Sequence, residues 1–347
     1  MKLLMVTRKL DYQDALAGFT WTLVKKLSEN LDGLKVISWQ AGDASGLNEK
    51  VGVFSLAKRS KLLKPFFLFF IAFRELKHVD GLFCHMNPEY TIIAGLAAKL
   101  RRKKIVSWYT HKQVNWKRRL LEIIADTIVT ASPESFRSPW FPQKVKVLGH
   151  GIDVERFSPD NGYNQSSAWQ LITVGRLSPT KDYESMIKAI DILSKDGIDV
   201  SLKIIGDAGL KNQLVYSQQL KAMVKSMSLI DRVVFLGAIA NNQIREYLGQ
   251  SDIFINLSNT GSVDKAVLEA MACGRFVLTS NEAFKKILPP ELMVEKNNPA
   301  QLAAKVKWLM SLPEDKKAEI KNNLREEVVQ NHNLDNLVQK IISQFQL

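Results

Sequence analysis

Residues 169–190 read WQLITVGRLSPTKDYESMIKAI. The first part, WQLITV, is a short β-rich run followed by Gly175. A loop with two cations follows, and a helical stretch begins at Tyr183 and extends to Lys195. This strand, loop and helix succession recurs through the chain. In the second half VSLKIIG, RVVFLG, DIFINLS and RFVLTS are further strands, separated by helical stretches that include Asn212 to Met227 and Val267 to Cys273. In the first half KLLMVT, KVISW, GLFCH, KIVSWYT and DTIVTAS alternate with stretches such as Thr20 to Asn30 and Tyr90 to Leu100. Such alternation predicts α/β architecture with two parallel, doubly wound sheets.

A chain of 347 residues is too long for one ordinary core, so two domains are expected. The polar, turn-rich segment Ser158 to Ala168 is the predicted linker. It divides an N-terminal domain, residues 1–160, from a C-terminal one, residues 161–330. A terminal helix at 331–347 is expected to pack back on the N-terminal domain. In such folds ligands bind beyond the carboxyl ends of the strands, and two facing sheets place that rim in a cleft.

Hydrophobic residues at 46% and charged residues at 24% describe a globular protein without low-complexity tracts. With only Cys84 and Cys273, neither a disulfide framework nor a four-ligand zinc site is supported. The opening MKLLMVTRKL reads as a first strand and not as a secretory segment, so a cytoplasmic protein is expected, either free or peripheral on the inner membrane face. The net charge of +13 is uneven. Residues 1–160 hold 26 Lys and Arg against 15 Asp and Glu, giving +11, while residues 161–347 hold 22 against 20, giving +2. Two readings stand: an anionic partner for the first half, such as a membrane surface, lipid phosphate, acidic glycan or nucleic acid, or a solvated basic face.

Arg176 and Lys181 share the loop that leads into the helix begun by Tyr183, so both cations can converge on one anionic group. A diphosphate suits them, since guanidinium forks onto phosphate oxygens and ammonium adds a mobile point charge without a metal. The alternative is an ordinary solvated loop. The second motif is SNTGSVDKAVLEAMACGRFVLTS, residues 258–280. Gly261 and Ser262 permit close backbone approach, and the following helix aims its free N–H groups at that loop. Glu269, on this helix, is placed to accept hydrogen bonds from ribose hydroxyls, or else to pair with a neighbouring lysine.

These two motifs, with IIGDAG at 204–209 and FLGAI at 235–239, resemble the retaining glycosyltransferases of family four, which have the GT-B fold of two facing Rossmann-like domains. The likeness covers roughly residues 147–285 and is looser before them. It implies that Arg176 and Lys181 hold the donor diphosphate and that Glu269 holds the ribose. It also implies that Gly206 and Asp207 belong to the donor site and that backbone near Gly237 and Ala238 receives the base. The family often has two glutamates with seven residues between them. Counting back from Glu269 puts Gly261 at the first place, and the nearby Asp264 and Lys265 become candidates to take over its sugar contact.

In the first half, Gly18 falls where the family's glycine-rich turn approaches the donor phosphate. His111, ending the strand KIVSWYT at its rim, looks like the family's histidine beside the reacting sugar; a capping or packing role is its alternative. His85 is a second candidate, and His150 reads as structural. Residues 58–77, KRSKLLKPFFLFFIAFRELK, hold an apolar run from Pro65 to Phe73, about half the ~20 residues needed to span a bilayer. Burial in a core and docking on a membrane stand equal. For docking, Lys58, Arg59, Lys61 and Lys64, the run Arg101 to Lys104, and Trp116 with Lys117, Arg118 and Arg119 supply cations and an interfacial aromatic.

The resulting expectation is an enzyme that moves sugar, with retention, from a nucleoside diphosphate sugar to a hydroxyl of a glycan or glycolipid of cell-surface polysaccharide type. Domain closure joins the two substrates. No cofactor is expected beyond the donor itself, and no metal, because neither a cluster of ligands nor an Asp-x-Asp triplet is present. A nucleotide-sugar 2-epimerase and an inert nucleotide- or membrane-binding partner subunit are the rival readings. Nucleic-acid binding is the weakest, for lack of a recognisable module.

Overall fold

In the computed structural model, the structure describes all residues except 15–17, 41, 112, 160–167, 210 and 347, and it omits the side chains of Lys211 and Asn212. The chain divides into two compact units. The first comprises Met1–Gly151, Ala240–Asn242 and Leu334–Leu347; the second comprises Ile152–Ile239 and Gln243–Asn333. The division falls before the expected 160/161 boundary because Ile152, Val154 and Phe157 are already buried in the core of the second unit. Most of the expected linker, residues 160–167, lies outside the described residues.

The first unit runs β1 (Lys2–Thr7), α1 (Gly18–Glu29), β2 (Gly33–Ser38), β3 (Val51–Ser55), α2 (Lys64–Glu75), β4 (Gly81–His85), α3 (Pro88–Leu100), β5 (Lys104–Trp108), α4 (Trp116–Ile124), β6 (Thr127–Thr130) and β7 (Val145–Val147). Its sheet has the order β3-β2-β1-β4-β5-β6-β7, with every pairing parallel. Interior strands such as β1 and β4 are continuous buried runs, as a parallel sheet covered on both faces requires.

The second unit runs β8 (Trp169–Val174), α5 (Tyr183–Lys195), β9 (Val200–Ile205), α6 (Lys211–Ser226), β10 (Val233–Gly237), α7 (Ile244–Gly249), β11 (Ile253–Asn256), α8 (Lys265–Ala272), β12 (Phe276–Thr279), α9 (Pro299–Ser311) and α10 (Glu314–Asn331). Its parallel sheet has the order β10-β9-β8-β11-β12. Helix α5 shows why such elements form. The Asp182 carboxylate caps it by accepting the Ser185 N–H at 3.3 Å, and Tyr183, Met186, Ile187, Ile190 and Leu193 bury one face.

The last helix, α11 (Leu334–Ser343), belongs to the first unit. It packs on α1 through Leu337, Val338 and Ile341, and Lys26 pairs with Asp335 at 3.0 Å. In both sheets the order reverses once, between β1 and β4 and between β8 and β11, and each reversal is a topological switch point.

Candidate functional site

Parallel strands end on one side, so the loops after β8, β9, β10 and β11 leave the second sheet along a common edge. The loop after β8 carries Arg176 and Lys181; the one after β11 carries Gly261, Ser262 and Asp264. Because β8 and β11 are neighbours, the two loops meet: the Asn259 N–H donates to the Thr180 carbonyl at 2.9 Å. Farther along the edge the backbone is stitched strand to strand. Gly175 N–H donates to Ile205 O at 2.9 Å, Leu177 N–H to Asp207 O at 3.2 Å, and Gly206 N–H to Gly237 O at 2.8 Å. Gly206 adopts φ +139°, and a Cβ there would lie 1.8 Å from the Gly175 oxygen. Only glycine fits. Gly237 follows an irregularity in the β10–β9 register and has φ +73°; Ala238 after it is exposed. Asp207 is also exposed, and its carboxylate accepts the Ala208 N–H at 2.7 Å.

The two cations differ in state. The Arg176 guanidinium is exposed and makes no ion pair among the described residues. The Lys181 ammonium lies 2.9 Å from Asp264 Oδ2, which also accepts Asn256 Nδ2–H at 3.0 Å. The network continues inward. Thr279 Oγ1 donates to the Asn256 carbonyl oxygen at 2.7 Å and accepts the Asn281 N–H at 3.1 Å, and Asn281 Nδ2–H donates to Ser262 O at 2.8 Å. Asp264, a candidate for the missing sugar contact, is thus tied to Lys181 and Asn256. Gly261, at the family's first glutamate position, has φ +65° with open space where a Cβ would be. Behind the first loop Tyr183 is fully buried, and its hydroxyl donates to Gly175 O at 2.9 Å.

Glu269 is 8% exposed on the inner side of α8. Burial raises its pKa, while Lys265 and Arg156 draw it down. Desolvation drives the Lys265 ammonium well below the ordinary lysine range, against the pull of Glu269. Both cysteine thiols are buried and pushed up to about 12, which leaves them protonated and unreactive. Among the described residues no three His, Cys, Asp or Glu side chains gather as metal ligands.

Asn256, Thr279, Asn281 and Arg156, and the hydrogen bond of Tyr183 to Gly175, carry no motif in the sequence. The signal available was a polar residue closing an apolar strand, as Asn256 closes Ile253–Asn256, buried to 2%.

In the first unit, Gly18 opens α1 and its N–H donates to Asp14 O at 3.0 Å. The strand KIVSWYT is shorter than expected. β5 stops at Trp108, so His111 does not end it but stands beyond it, exposed and edge-on to Tyr109 with ring centroids 5.4 Å apart. Desolvation by the surrounding chain lowers the His111 pKa. His85 is buried at the switch point between β1 and β4, with Nδ1 3.3 Å from Thr7 Oγ1. The next residue, Met86, takes φ +77°, an uncommon conformation for a non-glycine residue and one that marks this loop as constrained.

Known proteins share both the sequence and the fold. Residues 156–327 match the family model described as glycosyl transferases group 1. The chain is 25% identical over 165 residues to the phosphatidylinositol N-acetylglucosaminyltransferase GPI3 subunit of Saccharomyces cerevisiae (strain YJM789), an alignment covering 46% of this chain and 35% of that one. It is 24% identical over 214 residues to the putative colanic acid biosynthesis glycosyltransferase WcaL of Escherichia coli (strain K12), covering 59% and 51%. The chain therefore spans between about a third and a half of these relatives' length. Among solved structures, Anabaena Alr3699/HepE in complex with UDP and glucose superposes with a TM-score of 0.80 at 16% identity, covering 100% of this chain and 99% of that one. Trehalose-6-phosphate synthase OtsA gives 0.73 at 11%, covering 100% and 99%. At these identities the likeness is one of fold. The architecture of two parallel-sheet α/β domains implied by the motifs is the observed one.

Proposed function

Residues 156–327 of this chain belong to the glycosyl transferases group 1, and on that premise we propose that the protein transfers sugar from a nucleoside diphosphate sugar to an acceptor hydroxyl. The observation that carries this reading is the pair of loops joined at Asn259 and Thr180, with the Arg176 guanidinium open to solvent and Lys181 farther along the same loop. The second unit takes the donor. Arg176 and Lys181 stabilise charge that develops on the leaving diphosphate, Glu269 takes the ribose, and the edge at Gly237 and Ala238 takes the base. The Alr3699/HepE structure contains UDP, which makes uracil the first base to try. The first unit takes the acceptor, with His111 as its polar contact. Transfer proceeds with retention, as in family four. The acceptor is a glycan or glycolipid of the cell surface, consistent with the phosphatidylinositol and colanic acid named for the relatives.

The test is incubation of the purified chain with UDP-, GDP- and ADP-sugars, with and without lipid-linked and free glycan acceptors, and analysis of the products. Acceptor-dependent release of nucleoside diphosphate supports transfer; a new nucleotide sugar formed without acceptor identifies an isomerase instead. In this reading the two cations neutralise the leaving group without a metal, so the rate is expected to persist in EDTA. Loss of activity in EDTA that manganese restores would overturn that part.

Glu269 gives a further expected result. Glu269→Gln weakens donor binding while changing turnover of the bound donor little, because ribose contacts alter little on the way to the transition state. Burial raises the pKa of this carboxyl, so in the unliganded protein it takes up a proton at higher pH than an ordinary glutamate. Donor affinity then falls as pH drops, and Glu269→Gln flattens that fall. Calorimetric titration across pH checks both; an affinity unchanged by the substitution counts against the ribose role.

A further inference from the structure

Helices α2, α3 and α4 cover one face of the first sheet. They bury Leu68 and Ala72, Ala94 and Ala97, and Leu121 beneath them. Their opposite surface is where charged side chains are the rule. On α2 and the turn that leads into it that surface is apolar instead: Leu62 is 91% exposed and Leu63 52% in the turn, and Phe66 58% and Phe70 50% on the helix. The Phe66 and Phe70 rings lie against each other, centroids 4.3 Å apart, and form one ridge. Trp116, at the start of α4, is exposed as well. One face of α2 is thus core, and its opposite face is exposed apolar surface.

Charge is concentrated on the same stretch of chain. Residues 58–119 hold 15 Lys and Arg against 3 Asp and Glu, residues 1–57 hold 7 against 6, and residues 120–160 hold 4 against 6. The whole basic excess of the first unit thus falls on the segment that forms these helices. Two of the expected cations drop out. Lys64 is buried and donates to the Trp39 carbonyl at 2.7 Å, and Arg118 is buried beside Glu122, with Nε 3.2 Å from Oε1. Lys58, Arg59, Lys61 and Arg102 remain exposed. Crossover helices start at the carboxyl ends of the strands, so the ridge and its cations sit toward the same edge of the first sheet as His85 and the loop to His111.

An apolar ridge of aromatic and leucine side chains, fringed by lysine and arginine and almost free of carboxylates, matches the boundary of an anionic bilayer. Apolar groups there enter the acyl edge while cations meet phosphate. No helix among the described residues is long and apolar enough to cross a membrane, so attachment would be to the surface. We propose that the α2–α3–α4 face docks this protein on anionic phospholipid, with Leu62, Leu63, Phe66 and Phe70 inserted at headgroup depth and Lys58, Arg59 and Lys61 on the phosphates. The inference does not rest on the transferase reading, because binding is measured without donor or acceptor.

The experiment is co-sedimentation of the full chain with vesicles of equal parts phosphatidylcholine and phosphatidylglycerol, and with vesicles of phosphatidylcholine alone, at low and high salt. Wild type is expected to pellet with the anionic vesicles and much less with the neutral ones, with partial release by salt. K58Q/R59Q/K61Q is expected to lower partitioning onto anionic vesicles at least about tenfold. L62S/L63S/F66S/F70S is expected to abolish the salt-resistant fraction. These side chains are exposed, so unaltered melting temperatures verify that both variants fold. Equal partitioning of wild type and either variant, or no sedimentation with anionic vesicles, overturns the proposal. So does a concentration-dependent dimer in light scattering that the serine variant dissolves, because the ridge would then belong to a second copy.

Discussion

Replacing Arg176 or Lys181 with alanine is expected to lower turnover about a hundredfold or more, equivalent to roughly 2.7 kcal/mol of transition-state stabilisation per cation. The expectation follows from charge. A leaving diphosphate gains negative charge as the glycosidic bond breaks, so each cation binds the transition state more tightly than the bound donor. The effect must therefore fall on kcat and not only on KM. The two substitutions differ in side effects. Arg176 is exposed and in no ion pair among the described residues, so its removal leaves the melting temperature unchanged. Lys181 neutralises Asp264 at 2.9 Å, and without it that carboxylate keeps, among the described residues, the Asn256 amide at 3.0 Å. A modest fall in melting temperature is expected there. Steady-state kinetics with a saturating donor, alongside thermal unfolding, tests both; wild-type turnover in either folded variant sinks the diphosphate role.

The parts of the fold legible in the sequence were those where one physical signal dominates. Interior parallel strands bury both faces, so LLMV in β1 and IFI in β11 read as unbroken apolar runs. The edge strands β3 and β7 leave no such signal. VGVFS is largely open to solvent and VKV is three residues long, so neither builds an apolar run. Helix α10 was equally silent, because only Leu324 and Val328 of its 18 residues are buried and no stripe forms.

The site divides in the same way. Loop position follows from strand order, so Arg176, Gly206, Gly237 and Gly261 could each be assigned to the end of a strand. Their interlocking could not. The Lys181–Asp264 pair joins residues 83 apart in sequence, and the Asn256–Thr279–Asn281 network depends on which strands are neighbours. Pairwise contacts of that kind leave no periodic trace. In residues 58–77 the phenylalanines are visible, but which face they cover depends on the rotation of α2 over β2 and α3, set by Leu68 and Ala72.

Gly206→Ala is expected to be among the most damaging single substitutions in the second unit. An added methyl at this position would sit 1.8 Å from the Gly175 carbonyl oxygen and 2.8 Å from its carbon. Both are backbone atoms, so no rotamer change relieves the overlap. The backbone is fixed as well: φ is +139°, where alanine is strained, and the Gly206 N–H is committed to Gly237 O at 2.8 Å. Moving residue 206 breaks that bond; moving residue 175 breaks Gly175 N–H to Ile205 O and displaces Arg176. Overpacking and backbone strain together place the cost in the exceptional class of about 4 kcal/mol or more. For a unit of this size that lowers the melting temperature by roughly 10 °C or more, or prevents folding. Gly197→Ala is the matched control. Gly197 also has positive φ, +74°, but a Cβ there meets nothing within 4 Å. Only the left-handed penalty of about 1–2 kcal/mol remains, a shift of a few degrees. Thermal unfolding and soluble yield of the two variants side by side decide the matter. Equal stability in the pair would mean that the close approach of Gly206 to Gly175 does not hold the edge of this sheet.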